Sequence, residues 1–303
     1  MSVAGEERSG EPEPWTVARV LRWAADDLRA RGSSSPRLDA ELLLCSVLGC
    51  DRIRLILDAE RPLVPPELER YRALHKRRRR GEPVAYLRGE REFYGRSFYV
   101  DARVLVPRPE TEHLVEVALG RTRAVSLSAR VLDVCTGSGC VAITLKKERP
   151  TTTVIAADVS TDALAVAQIN CVRLGALVAL VQSDGLAAFG DLAGKIDLVT
   201  ANPPYIPDAN HAGLPADVRD FEPRLALTSG ADGLDVTRRI VAGAPSLLSE
   251  GGVLAVEIDC PSAVAVRALF AAAGFGSIEI TRDHAGRERV VSGCWKERAA
   301  SGP

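Results

Sequence analysis

From residue 130 onward, short apolar runs alternate with longer segments of helical periodicity, and this alternation restricts the chain to few folds. It predicts strands at 130–134, 153–158, 177–182, 196–200 and 252–257, and helices near 139–148, 161–174, 235–249 and 261–273. The pattern over 277–293 predicts two closing strands. Such alternation predicts an α/β fold with a mostly parallel sheet that helices cover on both faces. Ligands in these folds bind beyond the carboxyl ends of the strands, so candidate site residues are sought there.

The first strand runs into a glycine-rich turn, VLDVCTGSGC, in which Gly137 and Gly139 permit a sharp turn and close approach of a ligand. The spacing is not the dinucleotide fingerprint. It resembles the D-x-G-x-G-x-G turn of class I S-adenosylmethionine (SAM) methyltransferases, with Cys135 replacing the first glycine. That resemblance implies a Rossmann-like, seven-stranded sheet and Asp133 near the methionine moiety. The cofactor-binding residues it implies are Asp133, Cys135, Thr136, Gly137, Ser138 and Gly139. A tight turn without a ligand is the alternative.

The next two strands also end in carboxylates. Asp158 can accept hydrogen bonds from both hydroxyls of a ribose, which a cation cannot do. The third strand ends in QSDG, where Asp184 is a candidate for an adenine amino group and Gly185 completes the turn. A helix cap at Asp158 and a plain turn at Asp184 are the alternatives. The three strand ends together favour a nucleoside ligand.

The fourth strand ends in Asn202-Pro-Pro-Tyr205, which predicts a site for a planar NH2 group. The Asn202 side-chain oxygen, beside the cofactor, and the Pro203 carbonyl can accept its two hydrogens and turn its lone pair toward an electrophile. Pro203 and Pro204 restrict the residues before them and bring no competing N–H. Tyr205 offers a face for stacking. We therefore expect catalytic roles for Asn202, Pro203 and Tyr205, with Pro204 completing the substrate-binding segment; an ordinary Asn-Pro turn is the alternative.

The remaining sequence suggests four regions. Residues 1–13 are polar, which predicts a disordered tail and not a signal peptide. Apolar stripes at 17–28 and within the segments 33–49 and 64–80 predict a helical bundle over 14–85. Alternating residues with aromatics predict a β-hairpin linker over 86–108, from which Arg108 either reaches the site or forms a structural ion pair. The methyltransferase domain would then span 109–298.

Several segments across the chain resemble the HemK/PrmC family of protein-(glutamine-N5) methyltransferases. They are RRGEPVAYLRGEREFYG, VLVPRPETEHLV, NPPYIP, DVRDFEPRLAL and GADGLD, together with the glycine-rich turn. Membership would imply SAM as the cofactor and, as the protein partner, class I peptide chain release factors, methylated on the glutamine of their GGQ motif. The helical domain would help to hold the release factor. Cys135, Gly185 and the segment EIDCPSA depart from the family pattern.

Composition narrows the range of functions only in part. The net charge is −1, and no apolar stretch approaches the length of a membrane span. The seven cysteines lack CxxC spacing, which predicts a reducing cytoplasm and neither disulfides nor a metal site.

Three different functions compete with methylation of a release factor. NPPY also occurs in adenine-N6 methyltransferases of DNA or RNA, and the basic run HKRRRR at 75–80 is compatible with that function. We nevertheless expect no direct nucleic-acid partner, because a basic run at the end of a helix is more often a solvated last turn. A paralogue that methylates glutamine in a different protein is the second competing function, and a non-enzymatic binding module is the third.

Overall fold

The computed structural model describes residues 14–122 and 128–296. The predicted disordered tail lies outside the described residues. Contacts between residues divide the chain into two compact units, which meet in sequence between Arg88 and Gly89. In the described ranges no helix has both the length and the apolar character needed to cross a membrane.

The first unit consists of five helices. They are α1 (Val17–Ala30), α2 (Pro36–Leu48), α3 (Arg52–Leu57), α4 (Pro65–Arg78) and α5 (Val84–Arg88). The Thr16 hydroxyl caps α1 by accepting from the Arg19 N–H at 3.3 Å, and Gly49 ends α2 in the left-handed region at φ +66°. Leu21, Leu43 and Tyr71 are almost completely buried in its core. The helices α3 and α5 were not predicted. In α3 only Leu55 is buried, so it lacks an apolar stripe.

The second unit begins with a small hairpin and continues as a seven-stranded α/β domain. Its strands are β1 (Arg91–Phe93), β2 (Arg96–Phe98), β3 (Arg130–Val134), β4 (Thr153–Asp158), β5 (Ala179–Gln182), β6 (Ile196–Ala201), β7 (Leu248–Glu257), β8 (Phe275–Arg282) and β9 (Glu288–Trp295). Its α-helices are α6 (Glu112–Arg121), α7 (Cys140–Glu148), α8 (Thr161–Leu174), α9 (Ala216–Arg219), α10 (Asp235–Leu247) and α11 (Ala263–Ala272). Short 3-10 turns lie at Pro109–Thr111, Ala187–Leu192, Asp208–Gly213, Arg224–Ala226 and Cys260–Ser262.

The hairpin is shorter than the alternation predicts. Residues 86–88 belong to α5, and only 91–98 form the antiparallel pair, which turns through Tyr94 and Gly95, both at positive φ. Phe93 and Phe98 are buried in the same apolar cluster as Leu114 of α6. The hairpin is therefore part of the compact α/β unit, and the following loop leads to the carboxyl ends of its strands.

The large sheet has the order β5-β4-β3-β6-β7-β9-β8, with β9 antiparallel to both of its neighbours. Alternate residues of the strands enter two apolar clusters, one with α10 and α11 and the other with α6, α7 and α8. Both faces are thus covered, which explains why the parallel strands are almost continuously apolar. The chain runs outward from β3 to β5 and then returns to β6 beside β3. This change of direction opens a crevice between the carboxyl ends of β3 and β6.

Candidate active site

A cavity of about 360 Å³ lies at this crevice. The predicted site residues that line it are Asp133, Cys135, Thr136, Gly137, Ser138, Asp158, Asp184, Gly185, Asn202 and Pro204. We call the part formed by the ends of β3, β4 and β5 the cofactor half, and the part formed by the end of β6 with lining residues between 103 and 111 the acceptor half; the end of β7 lies beside the acceptor half, outside the lining. Gly139, Pro203 and Tyr205, which the sequence placed in the site, are not among the lining residues.

Asp158 in the cofactor half is held by backbone donors. Its Oδ2 accepts from the Gly137 N–H at 2.9 Å, and its Oδ1 accepts from the Ser160 N–H at 3.0 Å. Burial raises the pKa of this carboxyl, and the two backbone hydrogen bonds oppose that effect. Each oxygen keeps acceptor capacity, so the carboxylate can receive two further donors from a ligand.

The two glycines of the turn serve different structural purposes. Gly137 has φ +54°, and a Cβ built there would meet no atom within 4 Å, so its backbone faces open space. A Cβ on Gly139 would lie 3.1 Å from Ile143 Cδ1 and 3.2 Å from Ala167 Cβ. Gly139, at φ +80°, thus makes the sharp turn into α7 that the sequence predicts, and its missing side chain also allows the turn to pack closely on α8. Cys135 adopts φ +58°, a left-handed conformation that glycine would adopt without strain.

Asp133 is buried beneath the turn. Its Oδ2 accepts from the Thr136 hydroxyl at 2.6 Å and its Oδ1 from the Thr200 hydroxyl at 2.7 Å. Burial raises the pKa of Asp133 to about 6, although both hydrogen bonds favour the ionised form. The carboxyl joins the ends of β3 and β6, the two strands that form the crevice.

Asp184 forms an ion pair that sequence reasoning missed. Arg239 Nη1 on α10 donates to Asp184 Oδ2 at 2.7 Å, and both side chains are more than half exposed. Arg239 and Gly185, at φ +57°, also line the cavity. The pair leaves Asp184 close to the predicted adenine position, but with one oxygen already engaged.

In the acceptor half, three polar side chains follow one another. Asn202 Nδ2 donates to Thr111 Oγ1 at 3.2 Å, and the Thr111 hydroxyl is the neighbour that most favours the ionised form of Glu257. Ala201 pairs with Val256, so the next residues, Asn202 and Glu257, are neighbours at the ends of parallel strands. Burial raises the pKa of Glu257 to about 7, and the hydrogen bond from Thr111 opposes this rise. No donor in the described ranges reaches Asn202 Oδ1, which therefore keeps its acceptor capacity for a ligand.

Tyr205 lies beside this chain. Burial raises the pKa of its hydroxyl, and the charge of Glu257 adds to the effect, so Tyr205 is neutral throughout the physiological range. Its carbonyl packs on Gly233, where a Cβ would approach the oxygen to 2.2 Å. Gly233, in the GADGLD segment, thus fixes the path of the chain after the two prolines.

Two further contacts hold the segments around the cavity. Arg108 Nη2 donates to Glu222 Oε1 at 2.7 Å, and Arg108 also lines the cavity, so both roles considered for this residue apply. Asn170, fully buried on α8, accepts from the Tyr99 N–H at 2.7 Å and donates to the Tyr99 and Ser138 carbonyls at 2.9 Å. Asn170 therefore joins the end of the hairpin to the glycine-rich turn.

Comparison with known proteins agrees with this architecture. Residues 19–89 match the model of the PrmC N-terminal domain, and residues 112–214 match the methyltransferase small domain. The chain is 44% identical over 290 residues to the release factor glutamine methyltransferase of Chlorobaculum tepidum, covering 93% of this chain and 98% of the relative. It is 42% identical over 283 residues to that of Geobacter sulfurreducens, with the same coverage.

The chain belongs to the release factor glutamine methyltransferase family. The hMettl16 catalytic domain, solved with a MAT2A 3'UTR hairpin, aligns with a TM-score of 0.53, covering 79% of this chain and 84% of that one. At 16% identity this likeness concerns the fold alone.

The methyl donor of this class I fold is S-adenosylmethionine, and the cofactor half suits such a group. The space beside Gly137 admits a ligand at the backbone, and Asp158 offers oriented acceptors for the two ribose hydroxyls. Three arginines line the cavity, and each is paired with a carboxylate: Arg103 with Asp101, Arg108 with Glu222 and Arg239 with Asp184. The carboxylate of Asp158 disfavours a phosphate at the ribose position. A sulfonium nucleoside fits this distribution of charge better than a nucleotide.

Sequence reasoning missed Thr111, Thr200, Asn170, Arg239 and Glu257. Glu257 had a usable signal, because it ends a predicted parallel strand, just as Asp158 does. Thr111 follows the Pro-Glu pair of the VLVPRPETEHLV segment, but nothing local connects it to Asn202. Arg239 has the pattern of an ordinary surface residue of an amphipathic helix.

Proposed function

We propose that this protein transfers a methyl group from S-adenosylmethionine to the side-chain amide nitrogen of the GGQ glutamine in class I peptide chain release factors. The observation that carries the proposal is the position of Asn202, whose Oδ1 is unengaged in the described ranges and whose amide faces the same cavity as Asp158. The names of the two relatives above support the choice of a release factor as the substrate.

The assignment of residues follows from the chemistry of an amide. A carboxamide NH2 is a weak nucleophile because its lone pair is conjugated with the carbonyl. When bound, the cofactor supplies a methyl group on a positively charged sulfur. We assign Asn202 Oδ1 and the Pro203 carbonyl to accept the two N–H groups, which would hold the lone pair in line with that methyl. Positioning of this kind is the main catalytic term, since the product loses its proton without a strong base.

The roles proposed for the cofactor half follow the hydrogen bonds already made there. Asp158 would bind the ribose hydroxyls, and the turn of Cys135, Thr136, Gly137 and Ser138 would lie along the methionine side, above Asp133. Asp184 and Gly185 would border the adenine. Pro204 would form part of the wall beside the substrate, and Tyr205, outside the lining, would support that wall from behind.

An adenine-N6 methyltransferase is the second candidate, because an exocyclic amino group has the same planar NH2. The basic run at 75–80 supports it less than the sequence suggests. Arg77 pairs with Glu82, Arg78 with Asp39 and Arg79 with Asp27, so three of its arginines already have carboxylate partners. We therefore favour a protein substrate, and a cytoplasmic reaction is supported by seven cysteines that are all free thiols.

Transfer of a labelled methyl group distinguishes these candidates. The purified protein is incubated with methyl-labelled SAM and one of three acceptors: an unmethylated release factor, the same factor with its GGQ glutamine changed to glutamate, or duplex DNA and RNA. We expect label in the first acceptor alone. Label in nucleic acid with an untouched release factor would instead establish the second candidate. Equal labelling of both release factors would place the methyl elsewhere in the protein.

A further inference from the structure

The amide of Asn202 is the end of a chain of three polar side chains that leads into the protein. Thr111 is 2% exposed and Glu257 is 2% exposed, so neither exchanges its hydrogen bonds freely with water. Glu257 Oε2 is buried and, among the described residues, no hydrogen-bond donor reaches it. An ionised carboxylate has no hydrogen to donate, so any group that hydrogen-bonds to a buried carboxylate must be oriented as a donor.

Counting protons along this chain fixes the direction of each hydrogen bond. An ionised Glu257 accepts, so the single hydroxyl proton of Thr111 is directed to Glu257. The Thr111 oxygen is then an acceptor toward Asn202, and only the NH2 side of the Asn202 amide can satisfy it. Asn202 Oδ1 consequently points away from Thr111, available to a substrate N–H.

We propose that Thr111 and ionised Glu257 are positioning residues that keep the Asn202 amide in the one orientation able to accept from the substrate. The inference rests on the proposed function only for the identity of the substrate. Neither residue touches the reacting atoms; both act through Asn202. Protonation of Glu257 reverses the pattern: a COOH group can donate to Thr111, whose proton is then free to point at Asn202 and to favour the flipped amide.

The groups around Glu257 place its change of protonation near neutral pH. The pKa of Glu257 is raised to about 7, mainly by burial. Other titratable or charged groups that interact with it come from four neighbouring segments: Arg108, Glu110, Cys140, Tyr205 and Arg289. Arg108 and Arg289 favour the ionised carboxylate, and Glu110 opposes it. Tyr205 and Cys140 have raised pKa values and stay neutral at pH 6–8, so Glu257 is the member of this group expected to titrate there.

Kinetics of three variants test the claim. Thr111→Val removes the hydroxyl, and we expect kcat to fall at least about tenfold while the Kd for SAM changes less than about twofold. Thr111→Ser keeps the hydroxyl and should restore most of the activity. The wild-type kcat should decline as the pH falls from 8 to 6.5, and this decline should be absent in Glu257→Gln, whose side chain does not ionise. A Thr111→Val enzyme with kcat within twofold of wild type would overturn the inference.

A spectroscopic measurement gives a second readout that needs no turnover. The chain has only three asparagines, Asn170, Asn202 and Asn210, so asparagine labelled with 15N in the side chain gives three resolvable NH2 pairs. We expect the Asn202 pair to shift with an apparent pKa near 7, and this titration to vanish in Glu257→Gln and in Thr111→Val. Asn170, in the core, and exposed Asn210 serve as internal standards.

The two readouts separate the failure of this inference from that of the proposed function. One result would be a wild-type protein that leaves release factors unmethylated and still shows the Asn202 titration. That result would support the positioning role and contradict the proposed substrate. An Asn202 pair that does not respond between pH 6 and 8, in an enzyme that methylates release factor, would overturn the positioning role alone.

Discussion

The two halves of the cavity hold their polar groups by different means. In the cofactor half, Asp158 is fixed by two backbone N–H groups: that of Ser160, two residues further along the chain, and that of Gly137, 21 residues before it in the turn after β3. In the acceptor half, Asn202 is fixed by Thr111, 91 residues away in sequence, and through it by Glu257. The first arrangement uses backbone groups and needs no distant side chain. The second depends on the packing of the loop before α6, so it arises only in the complete tertiary structure.

The largest effect on kcat is expected from a substitution that alters the acceptor half alone. Asn202→Ala removes one of the two proposed acceptors of the substrate NH2, and we expect kcat to fall by roughly 10²–10³, the loss typical of a positioned polar group in an active site. The affinity for SAM, measured by calorimetry, should change little, because the cofactor half is intact. Asn210→Ala, an exposed asparagine outside the cavity, is the matched control. A variant with nearly normal kcat would remove Asn202 from the mechanism.

The next largest effect, on SAM affinity, is expected from a substitution in the cofactor half. Asp158→Ala should weaken SAM binding by about 1–3 kcal/mol, because it removes charge-assisted hydrogen bonds to the ribose. At saturating SAM the kcat should stay within a few fold of wild type. Exposed Asp191→Ala serves as the control for a lost carboxylate, and an unchanged SAM affinity in Asp158→Ala would contradict the assignment of the ribose site.

Both halves contain carboxyls whose pKa is raised by burial: Asp133 and Asp158 in the cofactor half, and Glu257 beside the acceptor half. The pKa of Asp133 is about 6 and that of Glu257 about 7, both above their ordinary values. The folded protein therefore binds these protons more tightly than the unfolded chain, so their contribution to stability is complete below about pH 4 and is lost as the pH rises through 6 and 7.

We expect the ligand-free protein to melt several degrees higher at pH 5.5 than at pH 8, since about 1 kcal/mol corresponds to roughly 2–4 °C in a domain of this size. Calorimetric scans of wild type and Glu257→Gln measure this difference, which should be smaller in the variant. Carboxyls with lowered pKa values, such as Asp101 at about 2, lose their contribution only at more acidic pH. A melting temperature that rises from pH 5.5 to pH 8 would contradict the effect assigned to burial of both carboxyls.

The smallest effect concerns the outer edge of the cofactor half. Asp184 is 60% exposed and already paired with Arg239, so solvent screens its interaction with an adenine amino group. Asp184→Ala should therefore weaken SAM binding by only about 0.5–1 kcal/mol, less than Asp158→Ala. Titrations of the two variants side by side check this ranking, and a larger loss for Asp184→Ala would reverse it.

The same difference between the two halves explains which parts of the fold and of the site could be predicted from the sequence. The strands from 130 to 295, the α/β class and the crevice follow from periodicity, because the parallel strands are largely apolar and each is followed by a polar residue or a turn. Asp158 and Asn202 could be identified because each directly follows or ends a strand. Thr111, Asn170 and Arg239 could not, since their roles arise from partners distant in sequence. Gly139 could be recognised as a turn residue, but its tight contact with Ala167 could not, because that contact exists only after α7 and α8 have packed.

The most direct test of the account is the location of the transferred methyl group. Unmethylated release factor is incubated with SAM and either wild-type protein or Asn202→Ala, then digested and analysed by tandem mass spectrometry. We expect a single methyl group on the side-chain nitrogen of the GGQ glutamine with wild type, and an unmodified peptide with the variant over the same time. An unmodified GGQ peptide with wild-type protein, or a methyl group on another residue, would contradict the account.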